Sequence, residues 1–297
     1  MCDENTENDN ATRPAHATLT RRRFNGLTVA AALMAVLPTV ANANANANAE
    51  TVSESEVVIP TPDGEADCYF VHPATGSHAG VVIWPDILGL RPAFRALGRR
   101  LAESGYAVLV VNPFYRSAPA PVVPEGSTFQ DPQVRSVVMG MRELLTPEAQ
   151  RNDASAFVGF LDSHPAVDTR RRVGVMGYCM GGPIVMRAAA ELPGRVGAAA
   201  SFHGGGLATD DGDSPHLLIP AMTADFLIAV AENDHERQPG VNDILRASFA
   251  EADLKAEIEV YEGALHGWCV PDSPVYDEAK AERAWTRLLA LFEKALV

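Results

Sequence analysis

The sequence predicts a single-domain α/β fold in which helices cover both faces of a mostly parallel central sheet. Several short segments are apolar throughout, which is typical of strands that are buried on both faces. These segments alternate along the chain with amphipathic or alanine-rich helical segments, as parallel strands with crossover helices do. No internal repeat or second domain is evident.

Residues 1–49 have the layout of an export signal. Arginines at 21–23 precede a mostly apolar stretch at 27–40, and alternating Ala and Asn at 41–49 offer A-x-A cleavage frames. The paired arginines followed by Phe24 favour the twin-arginine route, and the apolar stretch is too short for a membrane span. We expect contact with the export machinery, cleavage between Ala43 and Ala49, and a periplasmic or secreted product without stable membrane insertion. A disordered N-terminus is the alternative.

The expected mature chain, residues 50–297, has the size of one large α/β domain, since removing 49 of 297 residues leaves 248. The removed segment carries four arginines and four acids, so the formal charge stays at −14. Such acidity argues against binding to nucleic acid or anionic membranes. Cys68, Cys179 and Cys269 remain, without the C-x-x-C spacing of a zinc or redox site. Pairing of Cys68 with Cys269 and the oligomeric state stay open.

The N-terminal half of the domain is predicted to contain four strands, one helix and a long loop. Two strands form a hairpin around a Pro-Asp-Gly turn, and two are fully apolar. Proline in the first turn begins the helix, and proline-rich residues 118–131 form a surface loop of the kind that includes active-site lids. The predicted strands lie at 56–59, 66–71, 80–84 and 107–111, and the helix at 92–104.

The C-terminal half continues the alternation of helices and buried strands. The predicted helices lie at 133–145, 147–163, 184–192, 242–252 and 277–296. One predicted strand begins at Val173, and three more lie at 196–202, 226–231 and 257–261. A polar loop is predicted at 207–220.

Residues 173–183 combine a buried strand, a tight turn and the start of a helix. The turn reads Gly177-Tyr178-Cys179-Met180-Gly181-Gly182, which places a cysteine where the G-x-S-x-G pattern has its nucleophile. Glycines beside it allow the strand and helix backbones to approach closely. Most cysteines are small buried hydrophobes, but this context favours Cys179 as a nucleophile.

Cys179, Asp234 and His266 each follow a predicted strand, in the order nucleophile, acid, histidine. Catalytic groups of open α/β sheets lie beyond the carboxyl ends of the strands, so the three are predicted to meet there. The Cys179 thiolate would attack an acyl carbonyl, His266 would transfer the proton, and Asp234 would orient the imidazole. His203 competes for the histidine role, and Glu232 and Glu236 compete for the acid.

Backbone N–H groups of Met180 and Ile87 are the expected oxyanion donors, because one follows the nucleophile and the other lies after the strand at 80–84. His203 begins a run of three glycines that looks like an HGGG oxyanion motif, but this run falls after the nucleophile. We therefore interpret it as a turn that lines the pocket.

Five segments together resemble the dienelactone hydrolase family of the α/β-hydrolase superfamily. They are Pro85-Asp86-Ile87-Leu88-Gly89, Asn112-Pro113-Phe114-Tyr115-Arg116, Gly177-Tyr178-Cys179-Met180-Gly181-Gly182, Asn233-Asp234 and Ala264-Leu265-His266-Gly267-Trp268. The likeness covers nearly all of residues 57–297. It implies a Cys-His-Asp triad on an α/β-hydrolase fold, with no metal and no cofactor.

The resemblance also implies roles around the triad. Asp86 stands where members have a glutamate that contacts the resting thiol, and Arg116 matches an arginine that holds a substrate carboxylate. Val270 stands where a second such arginine is expected. Tyr178, Trp268 and His203 are candidate substrate contacts, with packing as the alternative for Tyr178 and Trp268.

The resulting hypothesis is an exported cysteine hydrolase that cleaves a lactone or a small carboxylic ester through an acyl-enzyme. A thioesterase or peptidase on the same fold remains open. So does a non-catalytic protein that binds a small carboxylate on a decayed hydrolase scaffold.

Overall fold

The central sheet contains eight strands in the computed structural model, which describes residues 51–297. The strands are β1 (Val52–Thr61), β2 (Gly64–Pro73), β3 (Gly80–Trp84), β4 (Ala107–Val111), β5 (Val173–Tyr178), β6 (Val196–Phe202), β7 (Asp225–Ala231) and β8 (Ala256–Tyr261). Their order is β1-β2-β4-β3-β5-β6-β7-β8. β2 pairs antiparallel with β1 and β4, and all other neighbours are parallel. The predicted signal at residues 1–49 lies outside the described residues.

Helices connect the parallel strands. They are α1 (Pro92–Ala102), α2 (Pro132–Glu143), α3 (Pro147–Ser163), α4 (Gly181–Glu191), α5 (Glu232–Arg237), α6 (Pro239–Glu251) and α7 (Glu278–Ala295), with a 3₁₀ helix at Pro215–Ala221. Side chains cap several of them, as Thr146 does when it accepts a hydrogen bond from the Ala149 N–H at 3.2 Å. Within residues 51–297 no helix is long and apolar enough to cross a membrane.

The sheet is buried on both faces because neighbouring side chains of its central strands point in opposite directions. Val82 of β3 belongs to the core that includes Phe157 of α3. Val81 and Ile83 belong to the opposite core, which includes Leu288 of α7. Both sides of the strand are therefore covered, which confirms the predicted α/β class with a mostly parallel sheet and helices on both faces.

Two helical segments were not predicted. Residues 232–237 form α5 directly after β7, where no helix was predicted, and the 3₁₀ helix falls inside the predicted loop 207–220. Glu232 and Asp234 lie in the first turn of α5, where negative charge favours a helix N-terminus. The Glu232 N–H also donates to the Ala264 carbonyl at 3.0 Å, which joins α5 to the loop after β8.

The turn from β5 into α4 requires glycine on both sides of Cys179. A Cβ atom on Gly177 would lie 2.3 Å from the Gly181 carbonyl oxygen, and one on Gly181 would lie 2.6 Å from the Trp84 carbonyl oxygen. These two carbonyl oxygens are backbone atoms, so they cannot move aside as a flexible side chain can. Glycine at these positions therefore lets α4 begin directly against the ends of β5 and β3.

Replacing Gly177 by alanine is expected to lower the free energy of unfolding by about 3 kcal/mol, at the upper end of ordinary overpacking costs. Gly159→Ala is the matched control, because Gly159 is an exposed residue of α3 and an added Cβ would meet nothing within 4 Å. That change should instead stabilise the protein by roughly 0.5–1 kcal/mol. Urea unfolding followed by circular dichroism measures both, and equal midpoints for the two variants would contradict the close-approach explanation.

Candidate active site

Polar and reactive side chains meet at the carboxyl edge of the sheet. Asp86 follows β3, Cys179 follows β5, Asp234 lies in α5 directly after β7, and His266 lies in the loop after β8. Because β3, β5, β6, β7 and β8 are parallel neighbours, these carboxyl ends lie at one edge. The fold thus brings together three residues that are far apart in the sequence, Cys179, Asp234 and His266.

Cys179 occupies a strained turn. Its φ angle is 53°, a left-handed conformation that is uncommon for residues other than glycine. Its N–H donates to the Phe202 carbonyl at 3.0 Å, and its own carbonyl accepts from the Gly182 N–H at 3.0 Å. These bonds hold the cysteine between β5 and the start of α4, where the helix dipole favours a negative charge.

His266 contacts both other members of the predicted triad. Its Nδ1 donates to Asp234 Oδ2 at 2.8 Å and lies 3.0 Å from Oδ1. The imidazole also hydrogen-bonds to Cys179. Asp234, His266 and Cys179 therefore form one continuous chain of interactions, with His266 buried in the middle.

The charges around His266 favour its protonated form. Burial alone would lower its pKa, but the charges of Asp234 and Cys179 and hydrogen bonds to both raise that pKa to about 10. This value lies above the ordinary histidine pKa of about 6.5. The interaction therefore stabilises the fold fully below pH ~6.5, and this contribution is lost as the pH rises through about 10.

Asn233 holds the backbone of the loop that carries His266. This residue is fully buried, and its Oδ1 accepts a hydrogen bond from the backbone N–H of His266 at 2.9 Å. The side chain next to Asp234 thus fixes the main chain of His266 while Asp234 holds the ring. Sequence reasoning assigned no role to Asn233, although its position beside the predicted acid was the available signal.

His203 lies against His266 and lines the same cavity. Its ring centroid is 4.8 Å from that of His266, in an edge-to-face arrangement. Burial lowers the pKa of His203 well below its ordinary value, and the neighbouring charge of His266 lowers it further. His203 is therefore an uncharged imidazole that forms part of the cavity wall.

The two expected oxyanion donors flank the turn. Ile87 lines the cavity together with Cys179, while Met180 lines a smaller cavity of about 260 Å³. Within residues 51–297, neither the Ile87 N–H nor the Met180 N–H donates a hydrogen bond to a protein acceptor. Both backbone donors are thus unused by the fold itself.

Asp86 has a different partner from the expected thiol. Its Oδ1 and Oδ2 accept hydrogen bonds from Arg91 Nη1 at 2.6 Å and Nη2 at 2.9 Å. Oδ1 also accepts from the Leu88 N–H at 2.9 Å. The carboxylate is committed to this ion pair, which corrects the expectation that it serves the resting thiol. Arg91, which sequence reasoning did not single out, lines the cavity.

Arg116 lies outside the cavity that contains Cys179, which corrects its predicted role in substrate binding. Its guanidinium donates to both oxygens of Asp153, at 2.7 and 2.8 Å, and to Asp63 at 2.6 Å. Asp153 is fully buried, and burial raises the pKa of its carboxyl, so the ionised form needs a cation beside it. Arg116 supplies that cation as part of the core.

Tyr178 and Trp268 pack beneath the site and are absent from the cavity wall, which corrects their predicted substrate contacts. Tyr178 stacks on Phe202 with ring centroids 4.9 Å apart, and its ring centroid lies 5.9 Å from that of His203. Trp268 is fully buried, with its ring centroid 5.5 Å from that of His203. Both aromatic side chains thus support residues that face the cavity.

The cavity has a volume of about 700 Å³ and opens above Cys179. Loop residues on both sides of the site form its walls, including Val123 and Phe129 from the predicted surface loop and Val270 from the loop after β8. Cys68, Cys179 and Cys269 are free thiols. In the described part of the chain, no group of three or more His, Cys, Asp or Glu side chains is arranged to hold a metal.

Known proteins resemble this chain in both sequence and architecture. Residues 66–296 match the model of the dienelactone hydrolase family. A carboxymethylenebutenolidase from Rhodococcus opacus is 28% identical over 228 residues, which cover 75% of this chain and 83% of that protein.

Solved structures show the same fold. A candidate dienelactone hydrolase from Klebsiella pneumoniae superposes with a TM-score of 0.71 at 22% identity, covering 82% of this chain and 100% of that one. A dienelactone hydrolase-like promiscuous phosphotriesterase from metagenomic libraries gives a TM-score of 0.68 at 22% identity, with coverage of 83% and 99%. With most of the described chain matched by the family model, the protein belongs to the dienelactone hydrolase family.

Proposed function

We propose that this hydrolase cleaves a lactone or a small carboxylic ester through a covalent acyl-enzyme on Cys179. The observation that carries the proposal is the continuous chain from Asp234 through His266 to Cys179, which lines the cavity. A nucleophile, a base within hydrogen-bonding reach and a group that orients the base are the parts that covalent acyl transfer requires.

In the acylation step, the Cys179 sulfur forms a bond to the carbonyl carbon while the carbonyl electron pair moves onto oxygen. The N–H groups of Met180 and Ile87 stabilise this oxyanion. As the tetrahedral intermediate collapses, the carbon–oxygen bond to the alcohol breaks, and the leaving oxygen takes a proton from His266. In a lactone, this alcohol remains attached to the acyl group.

In the deacylation step, water attacks the thioester carbonyl and transfers a proton to His266. The second tetrahedral intermediate expels the Cys179 thiolate, which releases the carboxylic acid and restores the thiolate–imidazolium pair. The raised pKa of His266 supports this pair as the resting state, because an imidazolium beside Cys179 favours the thiolate.

Alkylation distinguishes Cys179 from the other two thiols. Burial raises the pKa of both Cys68 and Cys269, so each is mostly a neutral thiol at pH 7, and neither lines the cavity. We expect limiting iodoacetamide to modify Cys179 first and ester hydrolysis to fall in step with that modification. Peptide mass spectrometry and activity are measured on the same samples over time. Full activity after complete modification of Cys179 would contradict the proposed nucleophile.

A further inference from the structure

The charges of the cavity identify the kind of substrate that fits it. Asp86, Glu125 and Asp272 contribute three carboxylates to the wall, and Arg91 is the only arginine or lysine among the described residues that line it. His203, with its lowered pKa, adds no positive charge. Outside the catalytic residues, the wall therefore carries three negative groups against one positive group.

The positive group is fully occupied by the protein. A guanidinium has five N–H donors, and those of Arg91 are all used. Its Nε and Nη2 donate to Asp272 at 2.7 and 2.9 Å, Nη1 and Nη2 donate to Asp86 at 2.6 and 2.9 Å, and Nη1 donates to the Gly89 carbonyl at 3.3 Å. No donor of Arg91 is left for a carboxylate on the substrate.

Apart from four neutral polar side chains, the rest of the wall is apolar; these four are Ser127, Thr128, Gln130 and Ser273. Leu88, Val123, Phe129 and Val270 line the cavity, and Val270 is buried. An anionic group placed among these apolar side chains would lose its hydration without gaining a charged donor, while nearby carboxylates repel it. An uncharged alkyl or aryl group would instead gain from leaving water.

We infer that the substrate is an ester or lactone with an uncharged, apolar acyl group, and that carboxylate-bearing substrates are excluded by Asp86, Glu125 and Asp272 around an Arg91 that has no free donor. This inference rests on the proposed hydrolysis at Cys179. The clasp of Asp86, Arg91 and Asp272 is then the specificity determinant, since it joins the loop after β3 to the loop after β8 and neutralises Arg91.

A pair of matched esters tests the charge preference. The 4-nitrophenyl monoester of adipic acid carries a carboxylate where 4-nitrophenyl 6-methylheptanoate carries an isopropyl group of similar shape. At low salt we expect kcat/KM for the uncharged ester to exceed that for the anionic ester by about 100-fold. The ratio should fall as sodium chloride is added, because exposed charges are screened.

A series of charge variants identifies the residues responsible. Glu125 is exposed and Asp272 is partly exposed, so changes at either position leave the core intact. Glu125→Gln and Asp272→Asn should each lower the ratio of the two kcat/KM values by roughly threefold, and Glu125→Arg by about tenfold or more. Glu262→Gln, an exposed acid that does not line the cavity, is the control and should leave the ratio unchanged.

The possible outcomes separate this inference from the proposed function. Equal or faster hydrolysis of the anionic ester, or a ratio that does not respond to the variants, overturns the charge preference while leaving hydrolysis intact. If Cys179→Ala still hydrolyses both esters, the proposed nucleophile is overturned instead. Calorimetric binding of both esters to Cys179→Ala measures the preference without turnover, with tighter binding of the uncharged ester expected and the reverse order contradicting the inference.

Discussion

Cys179→Ala is expected to lower kcat/KM for an uncharged aryl ester by about 10⁴-fold or more, since a nucleophile and its base act as a unit. Alanine keeps the Cβ atom and removes only the sulfur of this cavity-lining residue, which hydrogen-bonds to His266. The loss should appear mainly in kcat, because the apolar walls that bind the substrate remain. Steady-state rates on a panel of lactones, aryl esters, thioesters and peptides measure it and identify the class of bond that is cleaved.

Cys68→Ala is the matched control, since Cys68 is an equally buried free thiol on β2 that does not line the cavity. We expect this variant to hydrolyse the same ester within a few-fold of the parent rate. Mass spectrometry of the parent, quenched during turnover, should show a mass increase equal to the acyl group on the peptide that contains Cys179. Retention of the parent rate by Cys179→Ala, or an acyl group on another residue, would exclude Cys179 as the nucleophile.

The sheet could be predicted because its signal is local. Strands such as β3 and β4 are apolar at every position, and only a strand covered on both faces tolerates that pattern in a soluble α/β domain. Helix α5 could not be predicted in the same way. All six of its residues are polar, and it is fixed by contact with the distant loop around Ala264.

The order of Cys179, Asp234 and His266 along the chain was sufficient to predict that they meet, because parallel strands bring their carboxyl ends to one edge. The roles predicted for Asp86 and Arg116 were wrong for a different reason. Asp86 is paired with Arg91, five residues further on, and Arg91 is itself held by Asp272, 181 residues away from it. Arg116 binds Asp153, 37 residues away. Pairing of this kind depends on tertiary contacts.

Asp234→Asn is expected to lower kcat/KM by about 10²–10⁴-fold while leaving the fold intact, because the side chain keeps its size but loses the charge that orients and stabilises the imidazolium. Burial lowers the pKa of His266, and the charge of Asp234 is the main effect that raises it. Without that charge, the pKa of His266 falls from about 10. The imidazolium that donates a proton to the leaving oxygen is consequently lost at a lower pH.

The pH profile of kcat/KM reports this change directly. In the parent, activity should persist into alkaline solution and decline as His266 loses its proton near pH 10. In Asp234→Asn the same decline should begin about two pH units lower, the size expected from removing an opposite charge at hydrogen-bonding distance. Rates are measured with spontaneous hydrolysis subtracted.

Glu236→Gln separates the role of Asp234 from a general effect of negative charge. Glu236 lies two residues further along α5 and is exposed, and it was an alternative acid on sequence grounds. Since Asp234 is the residue that contacts His266 Nδ1, removing the charge of Glu236 should leave the alkaline decline where it is in the parent. A profile that shifts in Glu236→Gln but not in Asp234→Asn would assign the acid to Glu236 and require a different orientation of the histidine during turnover.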